Sequence, residues 1–112
     1  MLIYKIMTAA QWAEFEQSGV FKGASIDLTD GFIHFSTAAQ ARETAAKHFK
    51  EQTDLHLVWA DGNDLGADMK WEVSRGGAEF PHLYRDWRLS EVAGDAPLPL
   101  VEGAHQFPDG IA

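Results

Sequence analysis

Two short apolar segments are each followed by the same polar spacing, and this arrangement constrains the fold more than any other feature of the sequence. The segments are residues 2–6 and 32–35, and the polar pairs behind them are Thr8 with Gln11 and Thr37 with Gln40. In a Thr-x-x-Gln capping box, each side chain bonds to the other residue's backbone amide at the first turn of a helix. The sequence therefore predicts two strand-to-helix units, with helices over residues 9–17 and 38–50.

The middle of the chain contains two further strand patterns. Residues 55–59 form a nearly continuous apolar run, which predicts an interior strand. Residues 69–73 alternate strictly between apolar and polar side chains, which is typical of a strand with one buried face. We expect the Met, Trp and Val of this segment to be buried, and Lys70 and Glu72 to lie on the opposite, wetter face.

The remaining segments carry turn and loop signals. Residues 22–30 predict a loop that ends in an Asp-Gly turn, and residues 75–77 are expected to break the preceding strand. The sequence Phe-Pro-His-Leu-Tyr at residues 80–84 predicts a stiff aromatic loop. A strand is expected near residues 88–92, and residues 97–101 are expected to add an edge strand.

The length of the chain indicates one domain. A chain of 112 residues matches the commonest domain size, and 46% of its residues are hydrophobic, which is enough to offset the entropy of ordering it. Strands and helices without an internal repeat indicate an α+β layer structure. We therefore predict a single α+β domain over residues 1–112, in which about 103–112 form a loosely held tail.

Composition narrows the partners and the compartment. The absence of cysteine rules out disulfides, thiolate zinc sites and cysteine nucleophiles. Seventeen acids against nine bases give a net charge of −8, which repels phosphate backbones, so nucleic acid is not an expected partner. Without a signal-peptide or membrane-span pattern, a cytoplasmic location is the expectation. The oligomeric state stays open.

His34 is the first candidate for a functional residue. It lies inside an apolar strand, next to Ser36 and Thr37, at a strand-to-helix junction where helix amides and the helix dipole favour anions. An imidazole in this place can donate a hydrogen bond to a ribose hydroxyl or a phosphate. The alternative is a core histidine bonded to a backbone carbonyl, with Ser36 and Thr37 serving only as caps. The residues alone leave both interpretations open.

Four other polar residues could contribute to a site. His82 and Tyr84, in the proline-containing segment, could stack on and hydrogen-bond a planar ligand, or could instead close the end of the core. Lys5 and Glu72 lie within predicted strands and could point into a cleft as an anion anchor and a general base. Solvent-facing alternation is the other explanation for this pair.

Motifs for several other chemistries are missing from the sequence. The five histidines show neither His-x-His nor His-x-x-x-His spacing, so no metal site is expected. There is no Gly-x-Ser-x-Gly elbow for a serine nucleophile and no Gly-x-x-x-x-Gly-Lys phosphate loop. The site that we predict is a small-ligand pocket with residues 31–37 as one wall.

Five segments together resemble a known family. They are Leu2-Ile3-Tyr4-Lys5-Ile6, Trp12, Ser18-Gly19, Asp30-Gly31-Phe32-Ile33-His34-Phe35-Ser36-Thr37 and Phe80-Pro81-His82-Leu83-Tyr84. Over nearly the whole chain this arrangement resembles an uncharacterised bacterial family, domain of unknown function 952. That family carries no established activity to inherit.

The same layout is similar to a reduced ADP-ribosyltransferase fold, in particular that of tRNA 2′-phosphotransferases. This resemblance implies a small, mostly antiparallel, split β-sheet with two helices. It places His34 at the histidine of the second strand of that fold, and Lys5 where a histidine would be expected. A lysine binds a pyrophosphate as a point charge but lacks the flat ring that fixes a ribose. The arginines that grip RNA phosphate in those enzymes have no evident counterparts here.

The leading hypothesis from the residues and the resemblance is a nucleotide-binding domain that acts as an ADP-ribosyl transferase. NAD or an ADP-ribosylated small molecule would be the substrate, and no bound cofactor is expected. His34 and Glu72 are the predicted catalytic residues, and the predicted ligand-binding residues are Lys5, Ser36, His82 and Tyr84. The alternative is a non-catalytic binding or interaction domain that keeps the fold without the activity.

Overall fold

Ten strands and three α-helices follow one another in the described part of the chain. The computed structural model describes residues 1–74 and 77–109. The strands are β1 Leu2–Thr8, β2 Val20–Phe21, β3 Ile33–His34, β4 Leu55–Asp61, β5 Met69–Val73, β6 Glu79–Leu83, β7 Trp87–Arg88, β8 Gly94–Leu98, β9 Leu100–Val101 and β10 Ala104–His105. The helices are α1 Ala9–Ser18, α2 Ser25–Asp30 and α3 Ala38–His48, with 3₁₀ helices at Gly62–Asp68 and Leu89–Glu91. Residues 75 and 76 of the predicted strand break, and the end of the predicted tail, lie outside the described residues.

Two three-stranded sheets form the β part of the molecule, with strand orders β1-β4-β8 and β3-β6-β5. An isolated antiparallel bridge joins them, in which Tyr4 and Ser36 exchange backbone hydrogen bonds of 2.7 and 2.8 Å. Two shorter pairs, β2-β7 and β9-β10, complete the sheets of the described residues. All of these strand pairs are antiparallel. The α+β class with antiparallel sheets is thus confirmed.

The two predicted strand-to-helix units are confirmed, and their capping boxes have the expected geometry. Thr8 Oγ1 accepts from Gln11 N at 3.0 Å, and Thr8 N donates to Gln11 Oε1 at 2.8 Å. The same reciprocal bonds join Thr37 and Gln40. Each box satisfies backbone amides that have no partner within the helix. Gly19 ends α1 with φ of 81°, a left-handed conformation that glycine adopts without steric cost.

The interior strand is also where the sequence predicts it. β4 pairs with β1 on one side and with β8 on the other, and its Leu57 and Val58 are completely buried. β8 carries part of the predicted edge strand at 97–101. α3 packs on this sheet through Ala41 and Ala45, whose small side chains allow a close approach. In the described part of the chain, no helix is both long and apolar enough to cross a membrane.

A third helix, α2, occupies part of the predicted loop at 22–30, so that prediction was wrong. The Asp27 carboxylate accepts a hydrogen bond from Ala24 N at 2.7 Å and thereby caps the start of the helix. At the other end, Gly31 adopts φ of 85° and donates its N–H to Asp27 O at 2.8 Å. The Asp-Gly turn is thus the end of a helix, and Asp27 holds both of its ends.

The predicted aromatic loop at 80–84 is wrong as well, because most of it is β6, the central strand of its sheet. Proline is unusual there because it has no N–H to donate. Pro81 still accepts a hydrogen bond at its carbonyl from Phe35 N, at 3.0 Å, and the paired part of β3 ends at His34, just before that point. The predicted strand at 88–92 is shorter: β7 ends at Arg88 and a 3₁₀ helix follows.

The predicted burial of the apolar side of β5 is wrong for two of its three residues, whereas Lys70 is exposed as predicted. Trp71 and Val73 are 38% and 68% exposed, whereas Glu72 is half-buried. Met69 alone of the apolar side packs against the core. The strand lies at the edge of its sheet, where the core beneath it ends, so alternation does not reveal which face is covered.

Candidate functional site

The pairing of β3 with β6 brings two histidines together. His34 and His82 are direct cross-strand partners, so their side chains lie on the same face of the sheet. The centroids of the two rings are 5.3 Å apart and the ring planes are nearly perpendicular. Each histidine is bound to a different carboxylate. The candidate site therefore consists of two adjacent clusters, one around each carboxylate.

The Asp27 cluster comprises Lys5, Asp27 and His34. Lys5 Nζ lies 3.0 Å from Asp27 Oδ1 and 2.9 Å from Oδ2. His34 contacts Oδ1 twice, through its backbone N at 3.1 Å and its ring Nδ1 at 2.7 Å. The other ring nitrogen, Nε2, lies 3.0 Å from Asp30 Oδ2. Both nitrogens of His34 thus face carboxylate oxygens, which only accept hydrogen bonds.

Burial and hydrogen bonding act in opposite directions on the charges of this cluster. Burial by itself would raise the pKa of Asp27, but the hydrogen bond from His34 and the charge of Lys5 lower it to about 2. Burial lowers the pKa of Lys5, and its pairing with Asp27 opposes that change. The Lys5 side chain is 9% exposed and that of Asp27 1% exposed. The pair is therefore a buried ion pair with little surface for a ligand.

The Glu72 cluster comprises Glu72, His82 and Tyr84. Glu72 Oε1 lies 2.8 Å from His82 Nδ1 and accepts a hydrogen bond from the Tyr84 hydroxyl at 2.5 Å. The hydrogen bond from Tyr84, followed by that from His82, lowers the pKa of Glu72, and the same carboxylate raises the pKa of Tyr84. Unlike Asp27, Glu72 has a side chain that is 38% exposed. A solvent-accessible carboxylate is thus held in one orientation.

Phe32 covers the boundary between the two clusters. Its ring centroid lies 4.2 Å from that of His82 in a stacked arrangement, and 4.6 Å and 5.1 Å from those of His34 and Tyr84. Beneath this ring His82 is only 4% exposed, and its Nε2 is buried without a hydrogen-bond partner among the described residues. A ligand therefore meets Phe32 and Tyr84 before it meets His82.

Of the six predicted site residues, the structure brings five into these two clusters. Lys5 and His34 meet at Asp27, and the other three form the Glu72 cluster. Ser36 lies apart from them: its hydroxyl is 3.1 Å from that of Thr44 on α3. Whether any of these residues binds a ligand stays a prediction.

Three members of the site were not predicted from the sequence, namely Asp27, Asp30 and Phe32. The first two were assigned to a loop, and Phe32 to the packing of a strand. One local signal was present, because Asp27 and Gly31 have the spacing of an N-terminal capping acid and a C-terminal glycine of a short helix. Nothing local indicated that Asp27 would bind Lys5, which is 22 residues away.

Two clefts lie at other places on the molecule. One, of about 320 Å³, lies beside α1 and β2, and the other, of about 500 Å³, lies between α3 and the residues around β10. Neither is lined by residues 31–37, the predicted pocket wall. Within residues 1–74 and 77–109, no three His, Asp or Glu side chains are grouped as metal ligands. The candidate site is thus a surface formed by side chains around Glu72, outside the two clefts.

Comparison with known proteins identifies the family. The model of a family described as "Protein of unknown function (DUF952)" matches residues 6–94. The chain therefore belongs to this family, as its sequence suggested. The family description names no activity, and no curated protein matches the chain.

Solved structures of one bacterial relative share the fold. The crystal structure of protein CC0527 from Caulobacter crescentus is 50% identical, with a TM-score of 0.91 over 95% of this chain and 94% of that one. The solution NMR structure of CC0527 gives a TM-score of 0.84 over 93% and 90% of the two chains. The relationship to ADP-ribosyltransferases stays a prediction.

Proposed function

We propose that this protein binds NAD or a related ADP-ribose nucleotide at the surface formed by Phe32, Glu72 and Tyr84, and that it transfers the ADP-ribosyl group. One observation carries the proposal. The carboxylate of Glu72 is fixed by two donors, is open to solvent, and lies beside aromatic rings. A nucleoside needs this combination, since it presents hydroxyl donors next to a planar ring.

The free oxygen of Glu72 would bind the ribose. Its Oε1 is occupied by His82 and Tyr84, and no described residue donates to Oε2. Ribose hydroxyls are donors, and a hydrogen bond from a hydroxyl to a charged carboxylate is among the stronger kinds. The exposed faces of Phe32 and Tyr84 would contact the attached ring. The positively charged nicotinamide of NAD also suits a surface that carries Asp30 and Glu72.

The same carboxylate would serve the transfer reaction. The bond between nicotinamide and ribose breaks, and its electron pair leaves with the nicotinamide. The positive charge that then develops on the ribose is stabilised by the negative charge of Glu72. An acceptor hydroxyl or amine forms the new bond to the ribose carbon and gives its proton to the Glu72 carboxylate. Glu72 thus keeps the role that the sequence analysis predicted for it.

The roles of the other predicted residues change in this proposal. Lys5 is buried against Asp27, so it orients His34 through that carboxylate and does not contact a pyrophosphate. His82 is covered by Phe32, so it positions Glu72 while Phe32 and Tyr84 contact the ring. His34 is half-buried, and the 30% of its side chain that is exposed would be within reach of a ligand beside its contact with Asp30.

A second candidate is a binding domain without catalysis, and a specific observation favours it. Lys5 and His34, two of the polar groups that the sequence analysis assigned to the ligand, are both bound to Asp27. In this case NAD would bind but nicotinamide would not be released. The two candidates are distinguished by incubating the protein with NAD and measuring free nicotinamide by chromatography.

The test of binding is a thermal unfolding series with NAD, ADP-ribose and nicotinamide mononucleotide at millimolar concentrations. A ligand that binds only the native state raises the melting temperature by mass action, and we expect a shift of a few degrees with NAD. Glu72→Gln keeps the shape but removes the charge, and should weaken binding at least about tenfold. Glu16→Gln changes the net charge equally at an exposed position of α1 and should bind like the wild type. If no member of the panel shifts the wild-type protein, the proposal is wrong.

A further inference from the structure

The outer edge of β5 is exposed in a way that soluble proteins usually avoid. β5 is the last strand of the β3-β6-β5 sheet, and no other described strand pairs with its free side. Trp71 and Val73, on one face of this edge, are 38% and 68% exposed. An open edge with apolar side chains is a template for pairing with another strand. These residues are therefore candidates for an interface.

Three residues of β5 direct their backbone N–H and C=O groups to the open edge, where another strand could bind them. Trp71 lies opposite Pro81 of β6, whose carbonyl is bonded on its other side to Phe35 N. In an antiparallel ladder the N–H and C=O of one residue point the same way, so Trp71 and Pro81 form a pair without mutual hydrogen bonds. The N–H and C=O of Trp71 are consequently directed to the open edge, together with those of Met69 and Val73, two residues away on either side.

The sequence of β5 is complementary to itself. If two copies pair antiparallel about a two-fold axis at Trp71, Met69 of each copy lies opposite Val73 of the other. Lys70 then lies opposite Glu72, so two pairs of opposite charges form on one face. On the other face the two Trp71 side chains meet on the axis, flanked by the apolar pairs. A shift of the register by one residue would lose both the charge pairs and this apolar contact.

We propose that β5 pairs with β5 of a second copy of this chain, so that two three-stranded sheets join into one continuous sheet. A two-fold axis is the usual symmetry of such homodimers. The charge pattern favours a second copy, because β5 itself supplies Lys and Glu at the complementary spacing. The dimer also bears on the candidate site, because Lys70 of one copy lies beside Glu72 of the other. The interface is inferred from β5 alone, and its tests need no nucleotide.

The first test is the mass of the protein in solution, measured by sedimentation equilibrium over a range of concentrations. We expect a dimer of twice the 12.4 kDa chain mass. Trp71→Lys places two cations on the axis and should raise the dissociation constant at least about thirtyfold, as removal of a central aromatic residue does. Leu28→Lys removes a 65% exposed apolar side chain from α2 and should leave the dimer unchanged. A monomeric wild-type protein, or equal masses for both variants, would overturn the proposal.

The second test exchanges the charges. Lys70→Glu places like charges opposite each other, and should weaken the dimer more than Lys70→Gln, which only removes the attraction. Because Lys70 is exposed, neither variant depends on a change in the core. Mixing Lys70→Glu with Glu72→Lys should restore the dimer, since every charge pair of the mixed dimer is again opposite in sign. Equal dissociation constants for the two Lys70 variants would contradict the register, and dimerisation through another surface would leave all of these variants dimeric.

Discussion

The two clusters of the candidate site each join a carboxylate to a histidine, yet they differ in how many hydrogen bonds the carboxylate already accepts within the protein. The Asp27 carboxylate accepts hydrogen bonds from Lys5 Nζ, Ala24 N and both the backbone and the ring of His34, and its side chain is 1% exposed. Glu72 is bound through one oxygen only, and its side chain is 38% exposed. Both oxygens of Asp27 thus accept hydrogen bonds within the protein, whereas only one oxygen of Glu72 does.

This difference predicts a structural role for Asp27 and a ligand-binding role for Glu72. A buried charge is tolerated only when it is paired and hydrogen-bonded, and Asp27 meets both conditions while also holding α2 in place. Glu72 is less buried, and its hydrogen bonds orient the carboxylate but leave one oxygen without a partner among the described residues. The comparison therefore predicts that changes to the Asp27 cluster affect the stability of the fold, and that changes to the Glu72 cluster affect ligand binding.

The largest effect is expected for Asp27→Asn. This substitution leaves the Lys5 ammonium buried without a counter-charge, and breaking a buried ion pair costs about 3–5 kcal/mol. Asp30→Asn serves as the matched control, because Asp30 also contacts His34 but has a side chain that is 40% exposed. The free energy of unfolding of Asp30→Asn should fall by less than about 1 kcal/mol. Urea unfolding measures both. A loss for Asp27→Asn as small as that of the control would contradict the structural role of this cluster.

A smaller effect is expected from acid. The pKa of Asp27 is about 2 in the folded protein, against 3.8 for an ordinary aspartate. A lowered folded pKa contributes stability above the unfolded pKa, and this contribution is lost as the pH falls from about 4 to about 2. The difference corresponds to about 2 kcal/mol. The measurement is the free energy of unfolding across this pH range.

The reference for the acid experiment is the double variant Lys5→Met/Asp27→Asn. It removes both members of the buried ion pair, and such replacements are often close to neutral in stability. Its stability should depend on pH by about 2 kcal/mol less than that of the wild-type protein between pH 4 and pH 2. Parallel pH profiles for the two proteins would show that Asp27 titrates with an ordinary pKa.

The parts of the fold that could be predicted from sequence are those determined by neighbouring residues. The capping boxes of Thr8 and Thr37 each join residues three positions apart, so their spacing is visible in the sequence. The glycine that ends α1 and the apolar run of β4 are equally local. In each case one turn of helix or one strand contains the whole signal.

The parts that could not be predicted depend on pairing across the chain. Pro81 reads locally as a loop residue, and it is compatible with a central strand only because of where the β3 ladder ends. The covered face of β5 is decided by which strand lies next to it, which alternation does not reveal. Five residues of the two clusters were named from the sequence. Asp27, the residue that connects Lys5 to His34, was not. Its partners are 22 and 7 residues away.

The smallest effect on stability is expected for Tyr84→Phe, which tests the other half of the comparison. The variant removes the hydroxyl that donates to Glu72 but keeps the ring beside Phe32. Because that hydroxyl is the largest cause of the lowered pKa of Glu72, the pKa should rise toward its ordinary value of 4.5. An NMR titration of the Glu72 carboxyl carbon measures this change directly.

The melting temperature of Tyr84→Phe should stay close to that of the wild-type protein, since both hydrogen-bonding groups are at the surface and regain water as a partner. The pKa of Asp27 should not change, because no atom of the Asp27 cluster contacts the hydroxyl. A large fall in melting temperature would show that Tyr84 stabilises the fold. An unchanged pKa of Glu72 would show that Tyr84 does not orient this carboxylate. Either result would remove the distinction between the two clusters.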